Sequence, residues 1–268
     1  MKELTLQELR NIQFELLKHF KEFCEHNGIR YFICNGTLLG AVKYHRYIPW
    51  DDDIDVFLPR LDYDRLLEAF AEKNDNASYE IMSFGRTENY YYPFAKLIDT
   101  RTKLIEKNVC DINLGVNIDI FPIDNIGNTP KEVSRNFAKM KKLRKKLNWA
   151  RLNDYTSSSI VKKLAKIIIS SGYKLVGAKR YCEKIIALGK ANKNDTEYIG
   201  NYIWGFYGTG EALPKKCFSS TVDVVFEGIT FPAPVGYHEY LQGLYGDYSK
   251  EPPPEKQKTH HSFKAYRK

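Results

Sequence analysis

Cysteine is sparse in this chain, and nothing in its arrangement suggests a metal site or a crosslink. The five cysteines, at positions 24, 34, 110, 182 and 217, form no C-x-x-C pair. This spacing excludes a zinc ribbon and a disulfide framework and points to buried thiols in a reducing compartment. No apolar run approaches the ~20 residues that a membrane-spanning helix requires. The start, Met1-Lys2-Glu3-Leu4, lacks the apolar stretch of a signal peptide. A cytoplasmic protein is therefore expected. Internal repeats and low-complexity tracts are absent, which argues against a solenoid or a disordered linker array. The 268 residues are 43% hydrophobic, enough for one sizeable core or a core with an added lobe.

Acidic residues are scarce in one segment. Residues 131–193 carry 18 Lys and Arg against Glu132, Asp154 and Glu183, a net charge of +15. The whole chain is +8, so the remainder is −7. The densest stretch is Lys139-Met140-Lys141-Lys142-Leu143-Arg144-Lys145-Lys146. Beyond it, Ile160, Leu164, Ile167 and Ile168 alternate with Lys162, Lys163 and Lys166 at helical spacing. A basic amphipathic helix of this kind fits an anionic lipid surface or a polyanionic acceptor. The alternative is a solvated lobe whose apolar stripe packs on the core. The basic residues lack the aromatic interleaving of single-strand binders, so nucleic acid is not an expected partner.

The most informative stretch is Asn35-Gly36-Thr37-Leu38-Leu39-Gly40, followed by Pro49-Trp50-Asp51-Asp52-Asp53-Ile54-Asp55-Val56-Phe57. A Gly-Thr turn brings backbone N–H groups against phosphate oxygens. On a strand, Asp53 and Asp55 project from one face, where two like charges are unfavourable without a cation. Mg²⁺, with Mn²⁺ as the second choice, suits hard oxygen ligands shared with substrate phosphates. Farther on, Val116-Asn117-Ile118-Asp119-Ile120-Phe121 is apolar but for Asn117 and a single carboxylate. On a neighbouring strand, Asp119 would complete the metal shell and accept a proton from an attacking hydroxyl. The competing role for Asp119 is a structural carboxylate paired with an Arg, and for the segment of Asp53 and Asp55 an acidic loop that is merely solvated or a weak Ca²⁺ site. Lys96 is a candidate for neutralising a diphosphate, or is a surface lysine. Trp50, with Tyr90, Tyr91 and Tyr92, is a candidate cage for a quaternary ammonium, although aromatics are more often core.

Periodicity places a helix over residues 4–26, a strand over 29–34, and a helix over 37–43 whose N-terminus follows the Gly-Thr turn. A helix over 62–73 and strands over 79–84, 96–106 and 116–121 follow. A hairpin over 222–231, a helix over 237–244 and an extended polar tail from Pro252 complete the pattern. His260 and His261 read as exposed tail residues.

The motifs together resemble the LicD family. The resemblance rests on residues 36–55, on Tyr92-Pro93-Phe94-Ala95-Lys96, on Asp119-Ile120-Phe121-Pro122, and on Leu244-Tyr245-Gly246-Asp247-Tyr248 with Pro252-Pro253. It implies an α+β fold, a nucleotidyltransferase-like mixed sheet flanked by helices. The basic helical lobe, read from the charge pattern, is added to this core. A catalytic core over 1–130, the lobe over 131–193, and a C-terminal part over 194–268 that completes the catalytic domain are then expected. It further implies transfer of phosphocholine, or a related phospho-alcohol, from a CDP-linked donor to a hydroxyl of a cell-surface glycan, a lipid-linked glycan or a teichoic acid precursor, with CMP leaving. On this reading Asp53, Asp55 and Asp119 hold the metal and carry catalysis, and Gly36 and Thr37 contact phosphate. The alternative within the same chemistry is a nucleotidyltransferase that passes on the nucleoside monophosphate itself.

Overall fold

A computed structural model describes residues 1–106, 112–192, 194–259 and 263–268. Cys110, His260 and His261 lie outside the described residues. The chain starts with a two-residue strand, β1 (Lys2–Glu3), and a long helix, α1 (Leu6–His26). Thr5 opens α1 with a capping box: its hydroxyl accepts from the Glu8 N–H, and the Glu8 carboxylate accepts from the Thr5 N–H. Leu9, Ile12, Gln13, Leu16, Leu17, Phe20, Phe23 and Cys24 line its buried side at three- and four-residue steps. Gly28, at φ +59°, turns the chain out of the helix at little steric cost.

Next come β2 (Phe32–Ile33), α2 (Asn35–Tyr44), β3 (Asp55–Pro59), α3 (Arg60–Lys73), β4 (Tyr79–Met82), β5 (Ala95–Glu106) and β6 (Leu114–Gly127). The sheet runs β1-β11-β5-β6-β3-β2, where β11 (Phe263–Arg267) is the last strand of the chain. It is mixed. β5 and β6 pair antiparallel, whereas β3 and β6 pair parallel, with Asp55 opposite Asp119 and Val56 opposite Ile120. Both central strands are buried almost throughout, as strands covered on both faces are. Helix α1 packs on β5 and β6, and α3 packs on β3 and β6. Beside this core Arg60 donates to both oxygens of the buried Asp124, each at 2.7 Å, so neither charge is left uncompensated.

The basic segment forms three helices, α4 (Pro130–Arg151), α5 (Ile160–Val176) and α6 (Ala178–Gly189). Thr129 caps α4 and Pro130 occupies its first turn, where a missing N–H costs nothing. Val133, Phe137, Met140 and Leu147 are the buried stripe of α4, and the lysines between them face outward. The chain then returns to the sheet. β7 (Tyr198–Gly200) pairs with the end of β6, β8 (Ala212–Pro214) with β7, and the hairpin β9 (Thr221–Phe226) and β10 (Ile229–Pro234) turns at Glu227-Gly228. A last helix, α7 (Tyr237–Tyr245), precedes the tail.

Several readings of the sequence, expectations and alternatives alike, differ from the structure. The strand read over 29–34 is only Phe32–Ile33, because it forms just two ladder pairs with β3 before α2 begins. The tail is not simply extended: β11 pairs with β5 and β1, since Phe263 and Ala265 have an apolar side to bury. The apolar stripe of α5 does not pack on the core; Ser170 is the one buried residue of that helix.

Candidate active site

Gly36 and Thr37 lie inside the first turn of α2 rather than in a loop before it. The turn is anchored by Asn35, whose φ of +48° is unusual for a residue with a side chain. Asn tolerates this region, and here its amide is used on both sides. Asn35 Nδ2 donates to Asp55 Oδ2 at 2.9 Å, and Asn35 Oδ1 accepts from the Tyr240 hydroxyl at 2.5 Å. Thr37 Oγ1 accepts from the Asp55 N–H at 2.9 Å. A β-carbon at Gly36 would come within 2.3 Å of Asp51 Oδ2, so any other residue there would push the Asp51 carboxylate aside.

Strand β3 starts at Asp55, so Asp53 stands on the irregular segment that leads into it and not on the strand. The reason is visible in the packing: residues 48–51 are drawn aside by Arg10 of α1. Its guanidinium donates to the carbonyls of Ile48 and Pro49, each at 3.0 Å, and to that of Asp51. Gln13 of α1 adds a bond to the Asp52 carbonyl at 2.9 Å, and the Thr259 hydroxyl donates to Asp52 Oδ2 at 2.6 Å. The result is that Asp51, Asp52 and Asp53 each present a carboxylate oxygen within 4.8 Å of the others. The ladder sets Asp55 directly beside Asp119.

Crowding of these carboxylates shapes their acidity. Burial first, then the charge of Asp53, pushes Asp51 up to about 9. Burial also holds Asp55 well above the ordinary carboxylate range; Asp53 and Asp119 add to the shift, and the Asn35 hydrogen bond only partly offsets it. Asp119 is raised by burial and drawn back by Lys96. Lys96 Nζ donates to Asp119 Oδ1 at 2.5 Å, and Asn117 Nδ2 donates to the same oxygen at 2.8 Å. Burial lowers the basicity of Lys96, but Asp119 and Glu106 outweigh it and keep the ammonium above its usual range. Lys96 is therefore no surface lysine, and Asp119 is ion-paired with a Lys that stands opposite it on β5.

The aromatic residues sort differently from the expected cage. Tyr90 is core, donating to the Phe94 carbonyl at 2.9 Å, and among the described residues no ring contact joins Trp50 to Tyr90, Tyr91 or Tyr92. Trp50 is half-buried in the turn before the acidic segment. Two other rings, Tyr207 and Tyr245, stand 5.3 Å apart. Burial, then the carboxylates of Glu211, Asp55 and Asp51, raises Tyr207 against a partial offset from Tyr245, which puts this pair within electrostatic reach of the aspartates. Glu211 is buried and burial lifts it to about 7. Lys96 sits 5.2 and 5.4 Å from the ring centres of Tyr92 and Phe94, and Trp204 closes that cluster, 5.2 Å from Phe94. Trp204 also walls a groove of about 410 Å³ with Trp149 and Phe206, edged by Lys141, Lys145 and Lys166.

Sequence reasoning missed Asn35, Asp51 and the Tyr207–Tyr245 pair as site residues. The Asn-Gly dipeptide was a usable signal for a positive φ, and three consecutive aspartates a signal for a shared cation. Tyr207 and Tyr245 carry no local signal, because they reach the site only through the return of the chain.

The donor set is uniform: hard carboxylate oxygens, with no sulfur or imidazole among the described residues of the cluster. Such a set fits Mg²⁺ or Mn²⁺ and does not fit a thiophilic ion.

Residues 28–146 match the family described as LicD/FKTN/FKRP, nucleotidyltransferase domain. The chain is similar to the lipopolysaccharide cholinephosphotransferase LicD of Haemophilus influenzae, with 32% identity over 99% of both chains. It also shares 37% identity over 70 residues with an uncharacterised protein of Rickettsia prowazekii, covering 25% of this chain and 26% of that one. A shorter match, 46% over 43 residues, joins it to an uncharacterised protein of Rickettsia typhi, covering 16% and 14%. The match with the Haemophilus protein spans nearly the whole of both chains at 32% identity, and on that ground the chain belongs to the LicD family.

Proposed function

We infer that the protein is a transferase that moves phosphocholine, or a closely related phospho-alcohol, from a CDP-linked donor to a hydroxyl of a cell-surface glycan. The observation that carries this reading is the meeting of Asp55 and Asp119 on paired parallel strands beside the Asp51–Asp53 cluster, in a chain collinear with a cholinephosphotransferase. The sheet with its flanking helices is the nucleotidyltransferase-like core on this reading, and residues 131–193 are its added lobe.

Asp53, Asp55 and Asp119, with Asp51 as a further donor, would hold Mg²⁺ or Mn²⁺. The chemistry it would supply there is neutralisation of the charge that develops as the phosphoryl group transfers. The chain's own residues do the rest. Gly36 and Thr37 open α2, whose first N–H groups favour a phosphate. An acceptor hydroxyl attacks the choline-bearing phosphorus, the bond from that phosphorus to the bridging oxygen breaks, and CMP departs. Asp119, made more basic by burial, takes the hydroxyl proton while Lys96 holds its carboxylate in place. Tyr207 and Tyr245 offer ring faces to the quaternary ammonium, with Glu211 behind them as a buried acid. A cytoplasmic location is supported by Cys24, Cys34, Cys182 and Cys217, all buried free thiols.

The test follows both halves of the donor. With CDP-choline labelled in choline and in cytidine, choline label on the glycan together with free CMP supports the reading. Cytidine label on the acceptor would replace it with nucleotidyl transfer.

A further inference from the structure

Helix α5 presents its apolar side to the outside. Ile160, Val161, Leu164, Ile168 and Leu175 are 78, 75, 54, 72 and 90% exposed. At ~100° per residue these five positions fall within about a third of the helix circumference, and Ile169 and Val176 widen the strip on one side. The opposite side is what attaches the helix to the protein. Ser170 donates to the Trp149 carbonyl at 3.0 Å, Lys166 to the Thr156 carbonyl at 2.7 Å, and Lys174 to the Tyr155 hydroxyl at 2.8 Å. A surface helix ordinarily turns its apolar stripe inward. Here the polar side faces the protein, and a contiguous run of branched aliphatic residues faces solvent, an arrangement that marks an interaction surface.

Charge says what covers it. Lys162 and Lys174 border the apolar strip on its two sides, and Lys163 and Lys166 follow on the polar side. The groove that meets α5 at Lys166 is edged by Lys141 and Lys145 of α4. The segment as a whole carries +15. Symmetric pairing with a second copy would set this patch against itself and double a like charge. A bilayer surface bearing anionic phospholipid offers the complement on both counts: acyl chains for the aliphatic strip and headgroup phosphates for the lysines that snorkel beside it.

We propose that α5 docks the protein on an anionic membrane surface, with the side chains of Ile160, Val161, Leu164, Ile168 and Leu175 entering the headgroup boundary. The docking surface is separate from the carboxylate site and does not depend on the identity of the transferred group.

The experiment is flotation of the purified full chain with vesicles of phosphatidylcholine alone and of phosphatidylcholine with phosphatidylglycerol. Two variants accompany it: Ile168→Asp with Leu175→Asp, and Lys162→Glu with Lys163→Glu. All four positions are exposed, so circular dichroism and melting should match wild type. Wild type should float with the anionic vesicles, and each double variant should bind about tenfold more weakly or worse, since both the aliphatic strip and the basic residues contribute to docking. Transfer to a water-soluble acceptor should be unchanged in both. Wild type that stays with the unbound fraction overturns the proposal, as does equal flotation of the apolar variant. A wild-type dimer that the Ile168→Asp, Leu175→Asp variant abolishes, without vesicle uptake by either, would assign the strip to a second copy instead.

Discussion

Replacing Lys96 by methionine separates the ion pair from the rest of the site. The side chains are similar in length and both suit the apolar ring cluster of Tyr92 and Phe94, so the packing is largely kept. What is lost is the 2.5 Å contact to Asp119, in a pair whose side chains are 6% and 18% exposed. Breaking a buried pair by removing one partner costs about 3–5 kcal/mol. In a chain of this size each kcal/mol lowers the melting temperature by about 2–4 °C, so a fall of roughly 6–20 °C is expected. The loss should depend on pH. Asp119 is already raised above its unfolded value, and without Lys96 it is raised further. A carboxyl with a raised folded pKa weakens the fold progressively as pH climbs from its unfolded value toward the folded one. The variant should thus lie closer to wild type at about pH 5 and farther from it at about pH 8. Adding Asp119→Asn to Lys96→Met removes the stranded charge and should recover much of the melting temperature. Melting curves followed by circular dichroism over this range measure all of it. A difference below about 2 °C, or one that is flat with pH, would refute the claim that these two groups neutralise each other in the core.

Other outcomes follow from the same geometry. Gly36→Ala places a methyl 2.3 Å from Asp51 Oδ2, so kcat/KM should fall about a hundredfold through misplacement of the cluster while the melting temperature stays near wild type; unchanged kinetics would show that Asp51 does not need that position. Tyr207→Ala should raise KM for a choline donor about tenfold more than for an ethanolamine donor, as loss of a ring face from a quaternary ammonium requires; an equal rise for both would remove the tyrosine pair from headgroup recognition. Mg²⁺ at a hundredfold excess over its Kd should stabilise the fold by about 2.7 kcal/mol. Because Asp51 is raised to about 9 and protons compete for the same oxygens, calorimetric titration should show proton release on binding, and weaker binding as pH falls. Binding of Mg²⁺ that is independent of pH would speak against the crowded carboxylates as its ligands.

Local pattern carried much of the architecture. The three- and four-residue steps of Leu9, Ile12, Leu16 and Phe20 specified α1, and the apolar run around Asp119 specified the central strand, because both signals sit within one element. The reach of β6 to Gly127 and its pairing with β7 were not legible, since Tyr198–Gly200 arrives only after three intervening helices. Within the site, Asp53, Asp55, Asp119, Gly36 and Thr37 were singled out by residue type and spacing. The support they receive from Arg10, Gln13 and Tyr240 was not, as these side chains come from elements whose own periodicity reports only burial. The orientation of α5 shows the same limit from the other side. Its periodicity announces an amphipathic helix but cannot say which face meets the protein, and here hydrogen bonds from Ser170, Lys166 and Lys174 decided that against the apolar stripe.

The most direct test of the account is CMP release from CDP-choline in the presence of Mg²⁺ and a glycan acceptor, with wild type beside Asp55→Asn and Asp119→Asn. The account predicts acceptor-dependent release by wild type and a loss of at least about a thousandfold in each variant, because each substitution removes one anionic oxygen donor while keeping size. Wild-type rates in both variants, with release otherwise intact, would contradict the assignment of the paired aspartates as the reacting centre.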